Sequence, residues 1–453
     1  MKIVILGAVA AGAKTAAKLR RLLPEAEINV YTDDTHVSYS ACGLTYYIQG
    51  NFEDYRTLLV RSPEEFEKQD IHIHLRQKCI KILPDAHQVL IQNLEDSRAF
   101  LVDYDKLVIS TGARPVIPPI KNVELKNVFT VRKIEDGIAI REKALKSRHA
   151  TIIGSGYIGI ELLESFVELG LQVSLVEFAD HILPAFDDDI SDLIREQLYT
   201  ICQNRFEILT SELVTELIAN ENGEVAGVKT GSGREFSTDL VVICVGVRPN
   251  VEIAREAGII IGETGAIRVN KRMQTNFPDI YACGDCAEKT LIINGAKIWV
   301  PLGSTANKEG RIAAINIADQ DETFDGILGS AVARCLSLTM SMTGLTEKKA
   351  LLYGFHPVTA TVTKYDKVGY MPDVNNITLK IIAERNTGLL LGGQAIGCGD
   401  ADKRINTLTA ALVGRLTVDE FNKNDMTYAP PFAPTIDPLL NAMQILSNKL
   451  RAN

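Results

Sequence analysis

Twice in this chain an apolar strand runs into a glycine-containing turn that opens a helix, and the two turns start 147 residues apart, at Gly7 and Gly154. In the first, residues 3–6 lead into Gly7-Ala8-Val9-Ala10-Ala11-Gly12, a helical stretch follows over 13–23, and a second apolar run covers 28–31. In the second, residues 150–153 lead into Gly154-Ser155-Gly156-Tyr157-Ile158-Gly159. A helix is expected from there to about Leu169, with residues 172–176 as the next strand. Strand, tight turn and helix in this order make a βαβ unit whose helix N-terminus faces a pyrophosphate. The first glycine makes the turn and the last lets helix and strand pack closely. Gly170 is expected to end the second helix, because glycine takes the left-handed conformation cheaply.

The second unit is the fuller match. It has all three glycines, and Glu177 closes its second strand 23 residues after Gly154, where a carboxylate accepts from a ribose 2′-hydroxyl. Phe178-Ala179-Asp180 supplies no Lys or Arg for a 2′-phosphate, so NADH is favoured over NADPH. In the first unit Val9 replaces the middle glycine. The acid expected near position 32 is Thr32, with Asp33 next; either Asp33 serves after a one-residue shift, or Thr32 donates and accepts in its place. A P-loop needs Lys directly after its second glycine, and Lys14 comes one residue late, so that reading is rejected.

A chain of 453 residues is expected to hold two to four domains. Its net charge of −9 argues against a nucleic-acid or anionic-membrane partner, which would call for a basic surface. The chain runs from Met1-Lys2 directly into an apolar strand with no signal-peptide pattern, and no apolar run approaches the ~18 residues of a membrane span, so the cytoplasm is expected. Eight cysteines are too sparse for a disulfide scaffold. Cys244, inside the apolar run 240–245, reads as a buried small hydrophobe.

Three further segments carry a family resemblance. Residues 104–115 contain Ser110-Thr111-Gly112, residues 239–250 contain Gly246 and Pro249-Asn250, and residues 275–286 contain Cys283-Gly284-Asp285-Cys286. In this order they resemble the motifs of the pyridine nucleotide–disulfide oxidoreductases, over essentially the whole chain. The resemblance implies an α/β fold like that of glutathione reductase, with two Rossmann-like dinucleotide-binding domains and a C-terminal α/β dimerisation domain. FAD-binding segments are expected at 1–117 and 248–320, an NAD(P)H-binding domain at 118–247, and the dimerisation domain at 321–453 with strands near 358–363 and 377–383. It assigns FAD to Gly7, Ala10, Gly12, Asp33, Ser110, Thr111, Gly112, Gly284, Asp285 and Ala306. The nicotinamide dinucleotide falls to Gly154, Gly156, Gly159, Glu177 and Gly246. The C-x-x-C at Cys283 and Cys286 lies inside the flavin-ribityl motif and is read as packing there rather than as a redox dithiol. No metal is expected.

The resemblance also singles out Cys42, which stands where the family places its redox cysteine. Disulfide reductases of the glutathione reductase type carry a C-x4-C pair there, but Val37 and Tyr47 flank Cys42 at that spacing, and no histidine lies beyond His356 to serve as that subgroup's base. A lone cysteine must cycle through a sulfenic acid or a mixed disulfide with a small thiol. The single-cysteine subgroups are NADH peroxidase, NADH oxidase and coenzyme A disulfide reductase. The first two carry a histidine two residues before the last glycine of the first loop; here that residue is Ala10, as in the third.

Tyr370 and Tyr428 resemble that reductase's tyrosines, which implies a homodimer in which Tyr428 acts across the subunit boundary. Lys14, Lys18 and Arg21 share one helix face and are expected, with Ser38, to hold a phosphorylated thiol such as coenzyme A. Ala41 stands where that subgroup carries Asn, which keeps other small disulfides, persulfides and polysulfides open as substrates. No rhodanese-like segment follows the dimerisation domain, so the fused persulfide reductase form is not expected. The expected enzyme is thus an FAD-dependent NAD(P)H oxidoreductase acting through Cys42 on a small-thiol disulfide, with coenzyme A disulfide the leading candidate. The alternatives are an NADH oxidase or peroxidase using a Cys42 sulfenic acid, or a non-catalytic redox sensor.

Overall fold

The computed structural model describes residues 1–452. The chain forms two units: residues 1–116, 130–141 and 246–327 make the first, and 117–129, 142–245 and 328 onward make the second.

The first unit is built on a five-stranded parallel sheet in the order Ile280–Ala282, Lys106–Ile109, Lys2–Leu6, Glu27–Tyr31, Ile71–His74. Its central strands are near-continuous runs of buried Ile, Val and Leu, as expected of parallel strands covered on both faces. The helix Ala10–Leu22 leaves the Lys2–Leu6 strand and packs on the helix Gly303–Ile317. The two helices approach so closely that a Cβ on Gly310 would lie 2.5 Å from the Ala11 carbonyl oxygen, and the Thr15 hydroxyl donates to the Gly310 carbonyl at 3.1 Å. The first helix begins three residues before the expected 13, because the turn that starts at Gly7 winds straight into it: the Ala13 N–H donates to the Val9 carbonyl. Two short strands, Ala113–Pro115 and Val247–Pro249, pair antiparallel within this unit.

Residues 130–141 were expected in the NAD(P)H-binding segment but belong to the first unit. The Arg141 guanidinium donates to the Tyr47 and Ile48 carbonyls, and a Cβ on Gly137 would lie 2.8 Å from the Leu44 side chain. These contacts tie the helix Ile134–Ala144, as far as Arg141, to the segment just after Cys42.

The second unit contains another parallel sheet, ordered Phe206–Leu209, Gln172–Val176, His149–Ile153, Leu240–Ile243, Val128–Phe129. Helix Tyr157–Glu168 follows the His149–Ile153 strand, and Gly170 lies just past its end at φ +88°. The unit also holds a five-stranded antiparallel sheet ordered Ala331–Cys335, Leu338–Gly344, Leu390–Gly397, Asn376–Glu384, Pro357–Tyr365, backed by helices Ala401–Val413 and Pro438–Arg451. The strands expected near 358–363 and 377–383 are therefore longer, by three and two residues. No helix among the described residues is long and apolar enough to cross a membrane.

A polar cluster around the buried Lys380 and Asp187 joins the helix Asp188–Ile201 to this antiparallel sheet. Lys380 lies 3.2 Å from Asp187, 2.8 Å from Asp189 and 2.8 Å from Glu347. Burial works against its charge, but the hydrogen bonds it donates to Asp189 and Glu347 outweigh it and hold the ammonium above its ordinary pKa. Asp187 also accepts from the Glu347 and Lys348 N–H groups and from Gln394. Asp187→Ala strips these donors and weakens the Lys380 pairing, so it should cost about 3 kcal/mol of stability, read as a fall in the unfolding midpoint.

Candidate functional site

The first cradle is set by steric need. Gly7 has φ +102°, a region L-residues avoid, and a Cβ there would lie 2.2 Å from the Ser110 carbonyl oxygen. A Cβ on Gly12 would lie 1.9 Å from the Gly7 carbonyl oxygen, so helix and strand close to a distance only glycine permits. The helix that follows has no side-chain cap at Val9 and no acidic residue in its first turn, so its N–H groups and positive dipole end face outward. Ala10, in that turn, is half-buried. This arrangement fits the pyrophosphate of a dinucleotide. The Ser110 hydroxyl is spent inside the turn, donating to the Leu6 and Gly7 carbonyls at 2.8 and 3.1 Å. Thr32 is buried and its hydroxyl accepts from the Asp34 N–H, whereas Asp33 is half-exposed with Lys133 at 3.7 Å. Of the two, Asp33 has the carboxylate accessible to a ribose.

Across the same unit, the turn at Gly284 packs on both helices: a Cβ on Gly284 would lie 2.9 Å from Ala11 Cβ and 3.7 Å from Ala306 Cβ. Asp285 pairs with Arg132 at 2.9 Å, and Trp299 Nε1 donates to the Asp285 carbonyl at 2.7 Å. Thr111 donates to the Asn250 carbonyl while the Asn250 amide donates to the Thr111 carbonyl, tying the two remaining motifs together; a Cβ on Gly112 would lie 3.4 Å from Arg132. The carbonyl of Gly246 accepts from the Val116 N–H.

Behind the Gly284 turn lies a fully buried ion pair. Glu309 Oε2 accepts from the Gly284 N–H at 2.7 Å and lies 3.3 Å from Lys289, which also donates to the Gly284 and Ala287 carbonyls. Glu309 Oε1 has no partner among the described residues. Burial pushes the Glu309 carboxyl up to about 7, against the pull of Lys289. Between about pH 4.5 and about 7 the folded chain thus holds a proton that the unfolded chain has released, and above that the carboxylate pairs with Lys289 as an ion. Stability from this group is lost as pH rises from about 4.5 to about 7 and then levels, a change of about 3 kcal/mol. Glu309→Gln should flatten that part of the stability–pH curve, measured by denaturant unfolding of the holoprotein at about pH 5 and about pH 8.

The second cradle repeats the first. Gly154 has φ +101°, with a Cβ position 2.6 Å from the Cys244 carbonyl oxygen, and a Cβ on Gly159 would lie 2.1 Å from the Gly154 carbonyl oxygen. Gly156 differs: a Cβ there would meet no atom within 4 Å. Nothing in the chain itself demands glycine at 156, so the space beside it suits a ligand's approach. Glu177 closes the neighbouring strand and accepts from the Ser155 and Ala179 N–H groups, each at 2.8 Å. Tyr157 opens the helix with a buried hydroxyl that has no partner among the described residues.

Cys42 is exposed, in the 3₁₀ turn Ala41–Gly43 that follows the first cradle's second strand. Ser38, four residues earlier, is half-buried at φ +49°, held by its N–H to the Ala8 carbonyl and its carbonyl to the Val60 N–H. Lys14 and Lys18 are half-buried and Arg21 is exposed on the first helix, none with an ion-pair partner among the described residues. Cys283 and Cys286 are wholly buried, and burial raises both thiols, which keeps them protonated and suits packing rather than dithiol chemistry. Tyr370 and Tyr428, in the second unit, are 74% and 49% exposed. Cys244 lies just past the strand, which ends at Ile243; part of the residue is accessible, but its thiol is buried, and burial pushes it up to about 12, in keeping with a small apolar packing role.

Arg132, Glu309, Lys289 and Trp299 were not legible in the sequence. Arg132 meets Asp285 across 153 positions, and no local pattern marks such a pair.

A family model described as pyridine nucleotide-disulphide oxidoreductase matches residues 1–312, and one described as the dimerisation domain of that family matches 332–439. The chain is similar to the NAD(P)H coenzyme A polysulfide/persulfide reductase of Pyrococcus horikoshii, 36% identical over 98% of each chain. It is also similar to an NADH oxidase of Enterococcus faecalis, 32% identical over 95% of this chain and 96% of the relative. Among solved structures it is similar to the NAD-dependent persulfide reductase from A. fulgidus, with a TM-score of 0.96 and 33% identity over 100% of this chain and 84% of that one.

Proposed function

Because the chain belongs to the pyridine nucleotide-disulphide oxidoreductase family, we propose that it reduces a small-thiol disulfide or persulfide of the coenzyme A class through Cys42, with electrons from NADH and FAD. The observation that carries this reading is an exposed Cys42 just past the first cradle, with Val37 and Tyr47 where a resolving cysteine would stand. The Pyrococcus relative's coenzyme A-dependent sulfur chemistry supports it.

In this reading FAD is held by Gly7, Gly12, Gly284 and Asp285, with Asp33 toward its ribose, and NADH by Gly154, Gly156, Gly159 and Glu177. The FAD-binding part is 1–117 with 248–320, the NADH-binding part 118–247, less the stretch 130–141, and the dimerisation part 321–453. When bound, the cofactors supply two electrons. The Cys42 thiolate attacks one sulfur of the substrate disulfide; that S–S bond breaks, a Cys42–S bond to one half forms, and the other half leaves as a thiolate. The partner's Tyr428 gives the departing sulfur its proton, and Tyr370 orients it. Two electrons and a second proton then free the remaining thiol and restore the Cys42 thiolate. Lys14, Lys18 and Arg21 hold the substrate's phosphates, and Ser38 fixes the loop beside Cys42. The working form is a homodimer, since Tyr428 acts in trans.

The Enterococcus relative keeps one other reading in view, oxygen or peroxide reduction through a Cys42 sulfenic acid, which Ala10 disfavours by lacking a proton-transfer group. Parallel assays of NADH consumption with coenzyme A disulfide, hydrogen peroxide and oxygen separate the two. The disulfide should turn over fastest; rapid turnover of oxygen or peroxide with an inert disulfide overturns the proposal.

A further inference from the structure

The residue between the first two glycines of the second cradle has a buried hydroxyl with one target. Ser155 is wholly buried, and its hydroxyl donates to Glu177 Oε2 at 2.6 Å while its own N–H donates to the same oxygen at 2.8 Å. The Ala179 N–H holds Oε1 at 2.8 Å. Three donors on two oxygens fix the carboxylate in position and direction, since charge-assisted hydrogen bonds of this length are the strong ones.

Ser155 is anchored in turn. Its carbonyl accepts from the Leu183 N–H at 3.1 Å, and Leu183 is a buried non-glycine residue at φ +48°. A residue kept in the left-handed region signals that its surroundings over-determine it. The loop that follows Glu177 is thereby tied to the turn at two points: Glu177 to the Ser155 N–H and hydroxyl, Leu183 to the Ser155 carbonyl.

The loop carries no Lys or Arg from 177 to 187. His181 is engaged by Asp192 at 2.9 Å, Asp180 accepts from Ser211, and the nearby Arg195 is turned to the Thr210 hydroxyl at 3.5 Å. A 2′-phosphate at this place would meet a carboxylate that cannot swing aside and no cation to replace it.

We propose that Ser155 is a positioning residue that sets selectivity for NADH over NADPH by locking Glu177 toward the adenosine ribose. The proposal rests on the NADH reading of this cradle. Its hydroxyl and N–H are both spent on Glu177 Oε2, so Ser155 acts through Glu177.

The test uses the FAD-loaded protein and two non-reducing probes, ADP-ribose and its 2′-phosphate, with binding read by calorimetry. Ser155→Ala removes one oxygen without adding bulk, so the fold should survive; Glu177→Ala serves as the comparison. Ser155→Ala should weaken ADP-ribose about tenfold and leave the 2′-phosphate probe unchanged or tighter, so the ratio falls about tenfold or more. Glu177→Ala should lower the ratio further. An equal loss for both probes would mean a merely structural role and overturn the proposal. So would an unchanged Ser155→Ala beside a collapsed ratio in Glu177→Ala, although that result would leave the NADH reading standing. If neither variant moves the ratio, or the parent prefers the 2′-phosphate, the NADH reading falls as well.

Discussion

Cys42→Ser is expected to slow NADH oxidation by any disulfide at least about a thousandfold, with FAD still bound. Serine is close to isosteric, but a hydroxyl near neutral pH is neither ionised nor able to form a disulfide. Both the attack on substrate and the mixed-disulfide stage are therefore lost together. FAD retention follows from position: Cys42 lies in an exposed turn, and the closely packed glycines of the first cradle are elsewhere. Reduction of ferricyanide by NADH, which needs no cysteine, should persist. Disulfide turnover that survives the substitution would remove Cys42 as the carrier.

Gly156→Ala should raise the dissociation constant for NADH about a hundredfold while changing stability by less than about 0.5 kcal/mol. The separation of the two effects is the point of the experiment. Gly156 has φ −66° and ψ −178°, which alanine adopts freely, and its Cβ would meet nothing in the chain. A methyl there can obstruct only a bound molecule. Gly159→Ala is the contrast, because its Cβ would lie 2.1 Å from the Gly154 carbonyl oxygen, so the fold itself must shift. Stopped-flow reduction at varied NADH gives the affinity, and denaturant unfolding gives the stability. An affinity unchanged in Gly156→Ala would mean that the pyrophosphate does not pass this turn.

The two cradles were readable because all their determinants are local. A strand, a turn that needs glycine and a helix, closed in the second cradle by Glu177, lie within about 30 residues, and each constrains its neighbours through the backbone. The ends moved by one to three residues where turn and helix merge, as at Ala10. What surrounds the cradles was not readable, because it depends on contacts remote in sequence. Arg132 reaches Asp285, Glu309 reaches Lys289, and residues 130–141 join the first unit through Leu44, Tyr47 and Ile48. A buried Glu–Lys pair looks in sequence like two surface charges. Ser155 is intermediate: its place between two glycines was visible, but its hydroxyl bond to Glu177 needed the register of Ile153 against Val176.

Electron delivery to Cys42 is tested most directly by weighing the peptide that contains it, from protein purified without added thiols, before and after NADH is added in the absence of air. A coenzyme A-type adduct on Cys42 that NADH releases as free thiol is the expected result. A Cys42 peptide with no thiol adduct, in a protein that consumes NADH only with oxygen or peroxide, would contradict it.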